Sequence, residues 1–417
     1  MAAMSLDTPE PPKHLWLRVV LPFSIGYLLS YFFRTVNAVI APDLMKEVGL
    51  SAGDLGLLTS AYFLSFAMFQ IPLGILLDRY SPKRVEAILL LVAATGALVF
   101  AMSDTLSGLA IGRMLIGLGV SSCLMAAYTA CVIWFPPRRI PAVNGVILSA
   151  GGLGALAATA PVEAALRLTD WRGLFLALAG LSVLAALGLW FIAPERQRAV
   201  HQSTLKEQWQ GTLSVFKSAE FWRIAPVATT TQAVFMAIQG LWAGPWLRNV
   251  AGLTREAAAN YLFWAAGAMF VGQLTWGFMA SRLAHRGIAP LFLLKIGLAA
   301  FLLTQTVLVM GLTSFALPLW VAFSFFGVAG VLSYPIISQE FAVTLAGRAN
   351  TAVNLLVFVF AFAAQWAIGV IINAWPAATE GYLPMGYTVA FGVMLLIQVS
   401  AFIWLVVRRA KRLLGEG

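Results

Sequence analysis

Charge is scarce in this sequence. Lys, Arg, Asp and Glu make up 11% of 417 residues, whereas a soluble domain carries roughly a quarter. So few charges cannot cover a water-facing surface, and lipid must solvate most of the chain. Cysteine is nearly absent: Cys123 and Cys131 share one apolar run, which excludes a disulfide framework. The three histidines, His14, His201 and His285, have no metal-ligand spacing, so neither a metal nor a cofactor is expected. No glycine-rich phosphate loop with a lysine is present, which removes support for ATP drive. There are no paired carboxylates, no histidine cluster and no nucleophile–base set, so the chain is not expected to be an enzyme. Acids are missing from mid-depth of every apolar run. Asp43, Glu163 and Glu340 lie near run ends and Asp78 in a loop, so no buried carboxylate relay is visible.

Apolar residues are what the chain has: 60% hydrophobic, with a mean hydropathy of +0.86. A membrane helix takes about 20 apolar residues. Twelve runs satisfy this, at roughly 16–41, 54–77, 85–103, 106–134, 141–165, 172–193, 222–247, 257–281, 288–311, 314–338, 349–373 and 384–407. The expected fold is all-α, with twelve transmembrane helices in two pseudo-symmetric six-helix bundles. The expected layout is a tail over 1–15, a first bundle over 16–193, a polar linker over 194–221, a second bundle over 222–407 and a tail over 408–417. Met1–Lys13 is polar and proline-rich and has no signal-peptide core.

The net charge of +10 is explained by topology, not nucleic acid. Loops on one side carry Arg79, Lys83, Arg84, Arg138, Arg139, the linker's Arg196, Arg198, Lys206 and Lys217, Arg282 and Arg286, and the tail adds Arg408, Arg409, Lys411 and Arg412. The other side has Lys46, Arg167, Arg172, Arg248 and Arg255. Positive charge collects on the cytoplasmic side, so both termini are expected in the cytoplasm of a multi-pass bacterial inner-membrane protein, a monomer surrounded by lipid.

The two halves repeat. A shift of 203 places Pro42, Gln70, Gly74 and Arg79 on Pro245, Gln273, Gly277 and Arg282. A shift of 210 places Arg138 and Asn144 on Arg348 and Asn354. Parallel repeats of this kind suit a transporter that rocks about a central site.

Gly74-Ile-Leu-Leu-Asp78-Arg79-Tyr-Ser-Pro-Lys83-Arg84 turns span 2 into a short basic loop. It resembles the G-x-L-x-D-R-x-G-R-K/R-x signature of the major facilitator superfamily, with Ser81-Pro82 where Gly-Arg is frequent. The resemblance implies a gate: Gly74 permits close helix approach, Asp78 pairs across the bundle, and Arg79, Lys83 and Arg84 anchor the loop. The plainer reading is a basic loop that sets topology alone. Asn144 and Asn354, one turn into spans 5 and 11, are further inner-gate candidates. The second copy carries Ser281 in place of the acid, so any charged gate is asymmetric.

Arg34 lies deep in span 1, where an arginine costs several kcal/mol unless it meets a cavity or a partner. With Asn37 one turn on, it suits a carboxylate. The segment Tyr31-Phe-Phe-Arg34 resembles the span 1 pattern Y-x-D-R of anion–cation symporters, with Phe33 in place of the acid. Arg113, in Gly112-Arg113 through Gly117 and Gly119, resembles the family's span 4 motif R-x-x-x-G-x-G. It reads equally as an anion contact or a tie within the bundle. In span 7, Gln232 and Gln239, seven apart, share a face of a regular helix, and Trp242 follows on the next turn. Gln70, Tyr128, Gln273, Tyr334, Asn354 and Gln365 complete the candidate site, although hydrogen bonding between helices explains most such residues.

The family resemblance implies alternating access. The expected function is proton-coupled uptake of a small, anionic organic solute. Efflux of hydrophobic compounds is the alternative, disfavoured because Ala160 precedes Pro161 where the antiporter signature has glycine. A non-transporting receptor or scaffold has no soluble domain to signal through. The topology predicts that green fluorescent protein fused to the C-terminus fluoresces and that alkaline phosphatase fused there is inactive. The reverse pattern would refute it.

Overall fold

A computed structural model describes residues 14–136, 139–195, 205–284, 286–341, 343–375, 377–378 and 381–408. Most of the N-terminal tail, Arg138, Arg196, Arg198, His201, His285, Arg409, Lys411 and Arg412 lie outside the described residues. Among those described, 11 helices are long and apolar enough to cross a membrane. The fifth expected span is a shorter helix, Ile140–Ala157, continued by Ala160–Ala165. The chain is an all-helical, multi-pass membrane protein; two two-residue strands, Ala377–Ala378 and Gly381–Tyr382, form a small hairpin before span 12.

Span 1 runs further than expected, through Leu21–Thr35 and Asn37–Val48. It stops at Gly49, whose φ of 71° is left-handed, a conformation glycine adopts at little cost. Span 2, Ala52–Arg79, then starts on a capping box in which Ser51 and Asp54 satisfy each other's backbone N–H. The second half repeats the glycine stop and the hydroxyl half of the cap 203 residues on. Gly252 has φ 65°, and Thr254 Oγ1 accepts from Ala257 N at 3.2 Å before Arg255–Ala284.

The irregularities repeat as well. Span 1 breaks at Val36, and span 7 (Ala219–Asn249) carries a π turn at Ile238–Trp242 in the matching place. Span 4 breaks between Val120 and Cys123, and span 10 has a 3₁₀ stretch at Val328–Leu332. Broken helices at membrane depth are tolerated where protein or a cavity takes up the released backbone groups. One addition was not legible beforehand: the linker contains a helix, Leu205–Phe216, which packs on span 11 (Val343–Asn373).

Helix contacts inside the first half are close. A Cβ on Gly119 would lie 2.3 Å from Ala93 N, and one on Gly154 would lie 2.1 Å from Leu28 O. Both obstacles are backbone atoms and cannot swing aside. The halves meet where span 2 lies along span 11 and span 5 along span 8 (Arg255–Ala284). Replacing Gly119 with valine forces spans 3 and 4 apart, at a cost of about 1–3 kcal/mol. Thermal unfolding in detergent should show a lowered midpoint; an unchanged midpoint would contradict the packing.

Candidate functional site

Arg34 sits at the end of Leu21–Thr35, one turn before Asn37–Val48 begins. Its guanidinium carbon lies 4.6 Å from the Tyr31 ring centroid, 5.5 Å from Phe358 and 5.8 Å from Phe66. Tyr62 and Tyr27 are within electrostatic reach. Among the described residues no carboxylate pairs with it, and Nε is buried without an acceptor. Aromatic faces offset part of the desolvation cost, up to about 2 kcal/mol each when water is excluded. They accept none of the five guanidinium N–H bonds. Arg34 is partly accessible, not sealed, in the space between the Tyr31, Phe66 and Phe358 rings. One turn on, Asn37 Oδ1 is also buried and unpartnered.

The walls of that space come from both halves. Tyr27 and Tyr31 meet edge to face at 5.2 Å over Gly151, where a Cβ would lie 2.5 Å from the Tyr27 ring. Tyr128 adds a third phenol within electrostatic reach of Tyr31. From the second half, Tyr334 Oη donates to Asn354 Oδ1 at 3.2 Å, and Asn354 Nδ2 donates to Gln70 Oε1 at 3.3 Å. Phe66 and Phe358 stack at 4.0 Å across the interface. Gln239 lines a small gap with Thr35 and Thr159. Gln232 points elsewhere, against Gly330 of span 10. Gln239 lies at the start of the π turn Ile238–Trp242.

Trp242 and Gln365 form a seal instead of lining an open cavity. Trp242 is buried against Gly56 and Gly369, its Nε1 donates to Gln365 O at 3.0 Å, and Gln365 Nε2 donates to Thr59 Oγ1 at 2.6 Å. Gln273 lies on span 8 with a buried, unpartnered Oε1, and Asn144 Oδ1 is likewise unpartnered on span 5. Arg113 is turned into the first half. Fully buried, it donates to Phe33 O at 2.9 Å and stacks on Phe100 and Phe175.

In the basic loop, Lys83 donates to Trp190 O and Ala193 O at the end of span 6 (Trp171–Ile192), and Arg84 pairs with Glu195 at 2.6 Å. Both ties stay within the first half and its linker. Gly74 and Asp78 are half-buried at the end of span 2, and Arg79 is exposed. Among the described residues, ion pairs between the halves lie at the opposite face. Arg255 of span 8 grips Asp43 of span 1 in a fork, with both bonds 2.6 Å, and also reaches Glu163 of span 5 at 2.6 Å. Arg167 and Glu256 add a second pair. A planar guanidinium bridging two carboxylates from two helices is a latch. Sequence reasoning counted these residues as loop and end charges, because nothing local links positions 212 residues apart. It also passed over Glu86, a fully buried acid in span 3 (Pro82–Met102).

The sequence profile of the Major Facilitator Superfamily matches residues 23–365. Among curated relatives, the uncharacterized transporter YybO of Bacillus subtilis (strain 168) is 31% identical over 205 residues, 48% of this chain and 47% of its own length. The probable L-galactonate transporter of Escherichia coli (strain K12) is 25% identical over 334 residues, 71% of this chain and 70% of its own. The hexuronate transporter of the same strain is 26% identical over 229 residues, 50% of this chain and 52% of its own. The matched stretches thus span about half the length of YybO and of the hexuronate transporter. Among solved structures, a bacterial homolog of the human lysosomal transporter Spinster superposes with a TM-score of 0.72 at 17% identity, covering 95% of this chain and 96% of that one.

Removing the latch should open its face. In an Ala259→Cys background, whose buried thiol lies beside Arg255, Arg255→Ala should raise labelling by a membrane-impermeant maleimide on intact cells several-fold. Equal labelling with and without Arg255 would show that the pair holds nothing shut.

Proposed function

The chain belongs to the Major Facilitator Superfamily of secondary transporters, and we propose that it takes up a small organic anion, a carboxylate of sugar-acid size, together with protons. The observation that carries this reading is Arg34: a guanidinium in the membrane interior, ringed by aromatic faces, with no carboxylate partner among the described residues. A carboxylate fits it because two parallel N–H···O bonds fill the donors that the rings leave empty. Asn37 and Gln239, together with the phenols of Tyr128 and Tyr334, suit the hydroxyls of such a solute. The relatives named for L-galactonate and hexuronate support an anionic, polyhydroxylated substrate.

Alternating access follows from where the charges sit. In this conformation the Arg255 latch and the Trp242 seal close one face. Opening that face breaks Asp43 and Glu163 away from Arg255 while the basic-loop face closes. Gly74, Asp78, Arg79 and Asn144 lie at that opposite end and serve as its gate, with Lys83 and Arg84 bracing the loop from within the first half. Gln70 and Asn354 join the halves below the site; Gln273 is the matching position on span 8. Arg113 acts by holding the Phe33 carbonyl, which fixes the register of Arg34. The protein works as a monomer in the bacterial plasma membrane, with both termini inside.

Efflux of hydrophobic compounds is the second reading, supported by the Phe66–Phe358 stack. An arginine without a counter-charge is a poor lining for it. Uptake into proteoliposomes separates the two. Arg34→Ala should weaken apparent affinity for a hexuronate at least about 30-fold, since truncating a buried, hydrogen-bonded charge pair costs about 2–5 kcal/mol. Arg34→Lys should recover part of the loss, because a point charge lacks the bidentate fork. Uptake by Arg34→Ala equal to the parent's would end the anion reading.

A further inference from the structure

We infer that Glu86 is the proton-carrying group of the transport cycle, a carboxyl inside the first six-helix half that is linked to Arg34 through Cys123 and Tyr62. This rests on the transport reading above and adds the residue that couples it. Glu86 lies one turn into span 3 and has no exposed surface. Among the described residues neither carboxyl oxygen has a nitrogen or oxygen hydrogen-bond partner, and the Cys123 thiol is the polar group beside them. By contrast, the acids at the span ends, Asp43, Glu163 and Glu340, are all ion-paired.

The carboxyl lies directly on the backbone of span 1. A Cβ on Gly26 would sit 2.1 Å from Glu86 Oε1 and 3.7 Å from Cys123 Sγ. Glycine at 26 is what makes room for the acid. The groups around it are nearly all neutral. Span 1 presents the Gly26 backbone and span 4 presents the Cys123 thiol. Span 6, packed along span 3, has its cation, Arg172, at its far end, tied to Glu47 and Asp104. Arg113 of span 4 is engaged with Phe33 O. On its own helix, Lys83 and Arg84 turn outward to the Trp190 and Ala193 carbonyls and to Glu195.

A bare carboxylate in such surroundings is heavily penalised, whereas a carboxylic acid is not. In the conformation described here the carboxyl therefore holds its proton. It releases the proton to water when span 1 lifts from span 3, a local movement inside the first half that accompanies the rocking of the halves. The link to the substrate is electrostatic. Cys123 is within reach of both Glu86 and Arg34, and Tyr62 is within reach of Arg34 and Cys123. Gly26 and Arg34 are eight residues apart on one helix, about 12 Å. At an effective dielectric of 20, a unit charge at that distance alters anion binding about tenfold. With Glu86 protonated, no carboxylate opposes Arg34, which attracts the anion, while Arg113 stays engaged with the Phe33 carbonyl. With Glu86 ionised, the carboxylate competes, and the anion leaves. One proton thus accompanies each anion.

The test uses the full-length protein in proteoliposomes with labelled hexuronate, comparing the parent with Glu86→Gln. Accumulation driven by a pH gradient is measured beside exchange at equal pH. The expected result is that the ratio of driven accumulation to exchange drops at least tenfold in Glu86→Gln. A ratio equal to the parent's overturns the proposal. Infrared difference spectra recorded between low and high pH without substrate form a second arm. The parent should lose a protonated-carboxyl band that Glu86→Gln lacks, and identical spectra overturn the proposal. If the parent moves no hexuronate, the transport reading fails on its own, while the infrared arm still decides whether Glu86 carries a proton. Gly26→Ala, which keeps the acid but pushes it off span 1, should shift the pH at which that band disappears; an unmoved band counts against the contact.

Discussion

An arginine in the middle of a membrane must be solvated by protein, and much of this structure is arranged around that need. Arg34 would cost several kcal/mol in hydrocarbon. Three aromatic rings surround it at 4.6–5.8 Å. Supplying them takes the Phe66–Phe358 stack across the two halves and the Tyr27–Tyr31 pair packed on Gly151. Span 1 is interrupted at Val36, two residues beyond Arg34, and Arg113 takes the carbonyl of Phe33 just before it. Two arginines therefore serve different ends. One is wholly enclosed and holds backbone; the other is partly open, with donors to spare.

The second half answers with neutral polarity. Tyr334, Asn354 and Gln239 bring hydroxyl and amide groups toward the Arg34 side, Gln239 from the start of the π turn beside Thr35 and Ala38 of span 1. Charge between the halves is concentrated at one face, where Arg255 bridges Asp43 and Glu163. The charged contact thus lies at one end of the molecule and Arg34, with no carboxylate partner among the described residues, at its centre. Ion pairs that form in one state and separate in another suit rigid-body rocking, because packed interfaces switch between discrete arrangements.

Much of the architecture was legible in the sequence because its causes are local. Apolar runs of membrane length, basic loops and the 203-residue repeat each leave a mark on neighbouring residues. The repeat reaches the backbone, as Gly49 with Gly252 and Ser51 with Thr254 demonstrate. What stayed hidden depends on distant partners or on small departures from ideal helices. The pairing of Asp43 with Arg255 joins residues 212 apart. Glu86 follows Ser81-Pro82-Lys83-Arg84 and reads as the end of a polar loop, whereas Pro82 already begins the helix that buries it. The linker helix Leu205–Phe216 likewise sits in a stretch whose charge and length suggested only a tether.

Under the proposed function, Arg34 receives the carboxylate of the substrate. Calorimetric titration of the purified protein with a six-carbon sugar acid and with the neutral sugar of the same skeleton tests it most directly. The account requires the acid to bind at least about 30-fold more tightly than the neutral sugar, with the preference lost when Arg34 is replaced by alanine. Equal affinity for the two compounds, or a preference that survives the loss of Arg34, would contradict it.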